Sequence, residues 1–190
     1  MKSDVFENEY TFIKDKNIIE SLKTLVNLLP DYFFEVGASS TGKYHPAFSQ
    51  GKGGLVRHTK VAVRIAHELF ENECVNNFTD REKDLMIFSL VVHDGLKHGL
   101  VHNEYTQGNH PLLISNFIKE NKDKLNLKDE DIEFICNCVE KHMGQWTKDY
   151  QGNEILERPT SKYERFVHMC DYLSSKKFLD VKFENDKIVV

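Results

Sequence analysis

Apolar residues recur at the spacing of an amphipathic α-helix along most of this chain. Leu22 and Leu25, for example, fall on one face of the first such segment, and His58 lies in register with the apolar stripe of another. The segments predicted as helices are 13–29, 55–73, 79–94, one that opens at 109–111, 129–143 and 161–176. The pattern predicts an all-α protein with two long loops, 37–54 and 95–109.

Polar residues mark where two of these helices begin. Thr79 with Glu82, and Ser161 with Glu164, have the spacing of a capping box. The tail, 178–190, instead alternates apolar and polar residues, which is compatible with a short C-terminal β-hairpin.

The length of 190 residues fits one domain, with an N-terminal helix at 13–29, a main body at about 53–176 and the hairpin-like tail. No apolar run reaches the roughly 18 residues of a membrane span, and the N-terminus lacks the apolar segment of a signal peptide, so we expect a cytoplasmic protein without a membrane partner. The four cysteines have no CxxC spacing and are expected to be reduced thiols. The net charge of −5 argues against binding of long nucleic acid, which needs a broad basic face.

The most informative pair of residues is His93 and Asp94, which end the apolar run 85–92. A buried helix that ends in an imidazole and a carboxylate needs something to offset the desolvation of both groups. A divalent metal ion binds both together. Further candidate ligands stand on or beside the apolar stripes of other helices, and these are His58, His110, His142 and Asp171. Helix bundles build metal sites in this way, although any single histidine can instead be a hydrogen-bonded core residue.

The order of four of these residues is recognisable: His58, then His93-Asp94, then Asp171. It resembles the H…HD…D signature of the HD-domain metal-dependent phosphohydrolases, over roughly 53–176. The resemblance implies an HD-domain helical bundle.

Three local motifs support this resemblance. Gly53–Thr59 is similar to the GGLxxHT opening of many members, and Asp171–Ser175 is similar to their closing D-x-L-x-S segment. His93–Lys97 resembles HDxGK, with its glycine, Gly95, one position earlier than in that motif.

The resemblance also implies a ligand set. The residues of one ion would be His58, His93, Asp94 and Asp171. In members with a second ion, His110 and His142 would complete the site and Asp94 would bridge the two ions; His102 competes with His110 for this place. Because the donors mix imidazole and carboxylate, one or two ions of manganese, iron, nickel, cobalt or zinc fit better than calcium.

The chemistry follows from such ions, which lower the pKa of bound water and hold the attacking and leaving oxygens at phosphorus. The catalytic candidates are Asp94 and Lys97. Lys97 would neutralise charge on a phosphoryl oxygen, with a surface lysine at a helix end as the plainer interpretation.

Candidate substrate-binding residues lie beside these ligands. Four basic side chains flank the glycines of the predicted loop 37–54, which we call the glycine-rich loop. They are Lys43, His45, Lys52 and Arg57, and they could either bind phosphate or belong to a loop that only faces solvent. Trp146, four residues after His142, offers a ring on which a nucleobase can stack, or one that packs on the edge of the core.

Together these residues predict a metal-dependent phosphohydrolase, either a phosphomonoesterase or a phosphodiesterase. Its expected substrate is a nucleotide or a related small phosphorylated molecule. The alternative is a non-catalytic HD module that binds metal or nucleotide as a regulator. A metal-free helical interaction protein is the third and least supported hypothesis. The sequence leaves the oligomeric state open.

Overall fold

The computed structural model describes residues 1–39, 45–178 and 181–189. Within these ranges the chain is mostly helical and ends in a two-stranded antiparallel hairpin. The α-helices are α1 (Glu7–Tyr10), α2 (Lys16–Leu28), α3 (Gly54–Phe70), α4 (Asp80–Val92), α5 (His110–Glu120), α6 (Asp129–Glu140) and α7 (Lys162–Ser174). Short 3-10 helices are Lys2–Phe6, Asp31–Phe34, Ala47–Ser49 and Lys122–Lys124. The strands are β1 (Lys182–Glu184) and β2 (Lys187–Val189).

Each predicted helix is present, with ends that differ by a few residues, and the mostly helical class is confirmed. The capping boxes are confirmed too: the side chains of Thr79 and Ser161 accept from the backbone N–H groups of Glu82 and Glu164. The helical turns before residue 11 were not predicted, since four or five residues are too few to show a repeating pattern.

Helix α4 is the central helix of the fold. Every residue from Asp84 to Val92 is buried, and α4 packs against α2, α3, α6 and α7. A helix surrounded on all sides is apolar all round, which explains why this segment has no polar stripe. The chain that continues from α4, at His93 and Asp94, is therefore also buried in the interior.

The C-terminal hairpin, predicted from the alternating tail, is confirmed and lies against the loop that precedes α3. Its turn residues Asn185 and Asp186 have φ angles of 48° and 59°, as a type I′ turn requires. Phe183 on β1 stacks on Phe48 with ring centres 5.8 Å apart. Arg57 Nη1 donates to Asp186 Oδ1 at 2.9 Å, so the hairpin holds this loop from outside.

In the described part of the chain, no helix combines the length and the apolar character that crossing a bilayer requires.

Candidate metal centre

Six side chains from five places in the fold meet beyond the carboxyl end of α4. They are His58 on α3, His93 and Asp94 directly after α4, His110 in the first turn of α5, His142 just after α6 and Asp171 on α7. They form three overlapping groups, and within each group the ligand atoms lie within 4.8 Å of one another. These groups can hold a metal ion, and their members are the six residues that the sequence predicts as ligands.

Hydrogen bonds to Nδ1 fix the orientation of the four imidazole rings. Three rings donate Nδ1–H to a main-chain carbonyl three residues earlier. These pairs are His93 with Leu90 at 2.6 Å, His110 with Gln107 at 2.7 Å and His142 with Val139 at 2.7 Å. His58 Nδ1 donates to Ser174 Oγ at 3.0 Å, and the Ser174 hydroxyl donates onward to the carbonyl of Asp171 at 2.7 Å.

The helix ends explain why two of these carbonyls, those of Leu90 and Val139, are available to accept. The last four carbonyls of an α-helix have no partner within the helix, and Leu90 and Val139 belong to the last turns of α4 and α6. Because a carbonyl can only accept, Nδ1 must carry the hydrogen in His93, His110 and His142. Each Nε2 then carries a lone pair in the neutral ring, which is the form that binds metal.

These lone pairs point at other lone pairs. His58 Nε2 lies 2.9 Å from Asp171 Oδ1, and His110 Nε2 lies 3.1 Å from His142 Nε2. Two acceptors at these distances repel each other unless a proton or a metal ion lies between them. The arrangement therefore fits a cation that binds several acceptors at once.

Two buried atoms without a hydrogen-bond partner in the described part of the chain also fit a bound cation. They are His93 Nε2 and Asp94 Oδ1. An unpaired buried polar atom costs about 1–3 kcal/mol, and more when it is charged. A metal ion would satisfy both atoms.

Asp94 stands between the two halves of the centre. Its Oδ1 lies 3.0 Å from His110 Nε2 and 3.6 Å from His142 Nε2. Its Oδ2 lies 3.5 Å from His93 Nε2 and 3.8 Å from His58 Nε2. One carboxylate thus offers a different oxygen to each pair of histidines.

The charges of the centre shift one another's pKa values. Burial alone would raise the pKa of Asp94, but Lys97 and His93 outweigh it and hold this pKa well below its usual range. Burial opposes ionisation of Asp171 too, yet His58 and His93 keep its pKa well below the usual range. Burial would lower the pKa of His93, but the two carboxylates raise it to about 10. Without a metal ion, a proton on His93 balances part of the negative charge.

Lys97 is the cation nearest to Asp94. Its Nζ lies 2.5 Å from Asp94 Oδ2, and the residue is only 9% exposed. The plainer interpretation, a surface lysine, therefore does not describe its position. The early Gly95 also has a structural reason, because a Cβ there would lie 2.8 Å from Leu29 Cδ2 and 3.0 Å from the carbonyl oxygen of Val92.

The centre reaches solvent at Asp171. The side chain of Asp171 is 17% exposed, whereas those of the other five candidate ligands are at most 2% exposed. Among the six candidate ligands, Asp171 is therefore the one most open to solvent.

The basic residues of the glycine-rich loop have different environments. His45 packs on His58 with ring centres 5.1 Å apart, and its Nδ1 is buried with no hydrogen-bond partner among the described residues. Arg57 donates to the main-chain carbonyls of this loop and to the hairpin, so its guanidinium is engaged. Lys52 is exposed. Lys43 lies outside the described residues. A phosphate role for these residues stays a prediction.

The structure also shows where two other candidate residues lie, His102 and Trp146. His102 stacks on Tyr32 at 4.7 Å and is absent from the three ligand groups, so the structure brings His110, its competitor, to the centre. Trp146 is 48% exposed and lies 5.9 Å from the ring of Tyr172.

Two contributors were missed in the sequence. Ser174, which orients His58, lies three residues after Asp171 on α7, and that helical spacing was an available signal. Tyr172 is the residue after Asp171, and no pattern marked it.

Comparison of the chain with models of protein families, with curated proteins and with solved structures gave no match.

Proposed function

We propose that this protein is a metal-dependent phosphohydrolase of the HD-domain type, which cleaves a phosphoester of a nucleotide or a related small phosphorylated substrate. One observation carries the proposal. Four imidazoles, each hydrogen-bonded through Nδ1, direct Nε2 at two carboxylates and at one another. This donor set suits a transition-metal ion, and the order of its residues along the chain resembles that family.

Two ions fit the proposal better than one. Asp94 directs Oδ1 to one pair of histidines and Oδ2 to the other, as a bridging carboxylate does. The ion on the Oδ2 side would also have Asp171 as a ligand, and the ion on the Oδ1 side would have His110 and His142. The proposed metals are manganese, iron, nickel, cobalt or zinc, because calcium prefers a set of oxygen ligands.

The chemistry divides between the ions and the chain. When bound, divalent ions lower the pKa of a water ligand and polarise a phosphoryl oxygen. The chain holds both carboxylates ionised, keeps the four rings in the orientation that directs Nε2 into the centre, and leaves Asp171 as the candidate ligand most exposed to solvent. Lys97 brings a positive charge beside Asp94, where it would face an oxygen of the phosphoryl group.

The rival is a metal-binding module without turnover, and one observation favours it. The Lys97 ammonium already pairs with Asp94, so it must leave that carboxylate before it can contact substrate. Such a module would bind the same ions and hydrolyse nothing.

One experiment separates these functions. The full chain is purified without chelator, its metal content is measured by plasma emission, and phosphoesters are screened with and without manganese. The screen covers nucleotides, cyclic dinucleotides, short oligonucleotides and bis-p-nitrophenyl phosphate. We expect bound transition metal and manganese-dependent hydrolysis. Metal without hydrolysis of any of these compounds would support the binding module, and absence of metal together with no affinity for manganese or nickel would overturn both.

A further inference from the structure

An exposed aromatic surface lies beside the open side of the metal centre. Trp146 is 48% exposed and Tyr172 is 37% exposed, with ring centres 5.9 Å apart and ring planes inclined by 23°. Lys176 Nζ lies 3.4 Å from the Tyr172 ring centre and 6.0 Å from that of Trp146. We call these three residues the aromatic platform.

The distances show how the platform is built. At 3.4 Å from the ring centre, the Lys176 ammonium can only lie over a face of Tyr172, since an atom in the ring plane would clash. The Trp146 ring also lies near this ammonium, and its plane is inclined by only 23° to that of Tyr172. The two rings are therefore close neighbours with similarly inclined planes.

The platform is continuous with the metal centre. Tyr172 follows Asp171, the most exposed of the candidate ligands, on α7. His168, which contacts both rings of the platform, hydrogen-bonds the main-chain oxygen of His142 through Nδ1 at 2.7 Å. Gly144 makes this packing possible, because a Cβ there would lie 2.1 Å from His168 Cε1.

The platform also has a charge that nothing balances locally. Across residues 1–39, 45–178 and 181–189, Lys176 forms no ion pair with a carboxylate at 4.0 Å or less, and its ammonium instead lies on an aromatic ring. Two exposed aromatic rings beside a cation that has no carboxylate partner among the described residues are complementary to a planar base joined to an anion.

We propose that the aromatic platform is the base-binding half of the active site. A nucleobase would stack on Trp146 and Tyr172 in place of the Lys176 ammonium, which now lies over the Tyr172 ring, and the displaced ammonium would pair with the phosphate next to the metal centre. This inference rests on the proposed function and narrows its substrate class to nucleotides. Stacking on an exposed ring surface tolerates all bases, so the site discriminates nucleotides from sugar phosphates and not one base from another.

The test compares two ligands that differ only by a base, AMP and ribose 5-phosphate, on the full chain with zinc present. Trp146 is the only tryptophan, so its fluorescence reports on the platform itself. We expect AMP to quench this fluorescence in a saturable way and ribose 5-phosphate to leave it unchanged. Equal effects of the two ligands would overturn the proposal.

Single-residue variants show which residue of the platform contributes to the binding of each ligand. Their dissociation constants are measured by calorimetry. Tyr172→Leu and Trp146→Leu should each raise the dissociation constant of AMP by about 5- to 100-fold. The dissociation constant of ribose 5-phosphate should rise less in both variants. Tyr172→Phe, which keeps the ring, should retain AMP binding. Lys176→Gln should weaken both ligands and reduce their salt dependence. Tyr150→Leu is the matched control, because Tyr150 is 92% exposed and belongs to no ring contact of the platform. If Tyr172→Leu weakens both ligands equally, the platform is a packing element and the proposal fails.

The two proposals fail differently. Quenching by AMP with no hydrolysis of any phosphoester would keep the platform and overturn the hydrolase. Hydrolysis of phosphoesters with no preference for AMP over ribose 5-phosphate would support the hydrolase and overturn the base-binding role of the platform. A dimer that dissociates on Tyr172→Leu in sedimentation experiments would assign this surface to a second copy of the chain and overturn the proposal.

Discussion

Two of the regions in which this chain buries ionisable side chains balance charge in different ways. In the first, Glu9 of α1 and Lys60 of α3 lie 3.6 Å apart with side chains 6% and 3% exposed. In the second, the candidate metal centre, two carboxylates meet four imidazoles and one lysine. The first region contains one anion and one cation. The second contains more acceptors than donors.

The pKa values express this difference. Burial raises the pKa of Glu9 more than Lys60 lowers it, and burial lowers the pKa of Lys60 more than Glu9 raises it. Both partners are therefore pushed toward neutrality. Glu9 Oε2 has no hydrogen-bond partner among the described residues, but the Lys60 ammonium lies 3.6 Å from it. At the centre, the buried Asp94 and the partly buried Asp171 both stay ionised. Buried charge alone thus does not distinguish the two regions; the candidate metal centre differs because its acceptors outnumber its cations.

The variant with the largest expected effect on this contrast is Asp94→Ala. Because Asp94 lies between both halves of the centre, we expect loss of both ions and of hydrolysis, and a loss of stability of about 3–5 kcal/mol from the charges left unpaired. His110→Ala should release mainly one ion. His102→Ala, outside the ligand groups, is the control. Plasma emission and thermal melting report the outcome, and metal contents and melting temperatures like those of the wild type in all three variants would make Asp94 an ordinary helix-end residue.

The second test removes one partner of the other region. Lys60→Met leaves Glu9 buried and unpaired, which should cost about 3–5 kcal/mol of unfolding free energy. Glu9→Leu combined with Lys60→Met should restore stability to the wild-type value or above it. Denaturant unfolding measures both. Lys23→Met in the exposed pair with Glu20 is the matched control and should change stability by less than about 1 kcal/mol. A double variant as unstable as Lys60→Met would show that the pair is stabilising.

The third test concerns the centre's own cation. If acceptors outnumber donors even with Lys97 present, Lys97→Ala should leave the metal content unchanged. It should lower turnover by at least about tenfold, since one electrostatic contact in a transition state is worth about 2–4 kcal/mol. Metal analysis and kcat measured together decide this. Loss of metal would show that Lys97 organises the ligands, and unchanged turnover would remove it from the chemistry.

The fourth and smallest effect is a pH dependence. In the metal-free chain the pKa of His93 is raised from its usual 6.5 to about 10. Its contribution to stability is fully present below about 6.5 and is lost as the pH rises through about 10. A bound ion displaces this proton, so stabilisation by metal should grow by up to about 1.4 kcal/mol per pH unit within this window. The measurement compares melting of zinc-loaded and chelated protein in the lower half of the window. A difference that is constant or shrinks would contradict the shift.

Much of the centre could be predicted because its ligands stand at places that a sequence marks. His93 and Asp94 end an apolar run, Pro111 fixes the start of α5 next to His110, and His58 shares the stripe of α3. Periodicity and capping residues also predicted the helices, because both are local properties of the chain.

The rest depends on contacts between distant segments. The guanidinium of Arg57 pairs with Asp186, 129 positions along the chain, and no local pattern reveals that this arginine is engaged. Tyr172 is one of seven tyrosines, and only the folded chain brings it beside Trp146. The orienting bonds of the rings are likewise invisible, since most of their acceptors are main-chain carbonyls.

Those main-chain acceptors bear on how such a protein can evolve. Leu90, Gln107 and Val139 orient three imidazoles through atoms that every amino acid possesses, so exchange of their side chains leaves the bonds available. Ser174 orients the fourth ring with its own hydroxyl. Substitutions at these three positions therefore leave the orienting hydrogen bonds intact. At position 174, only a residue with a comparable hydrogen-bonding group could replace the serine.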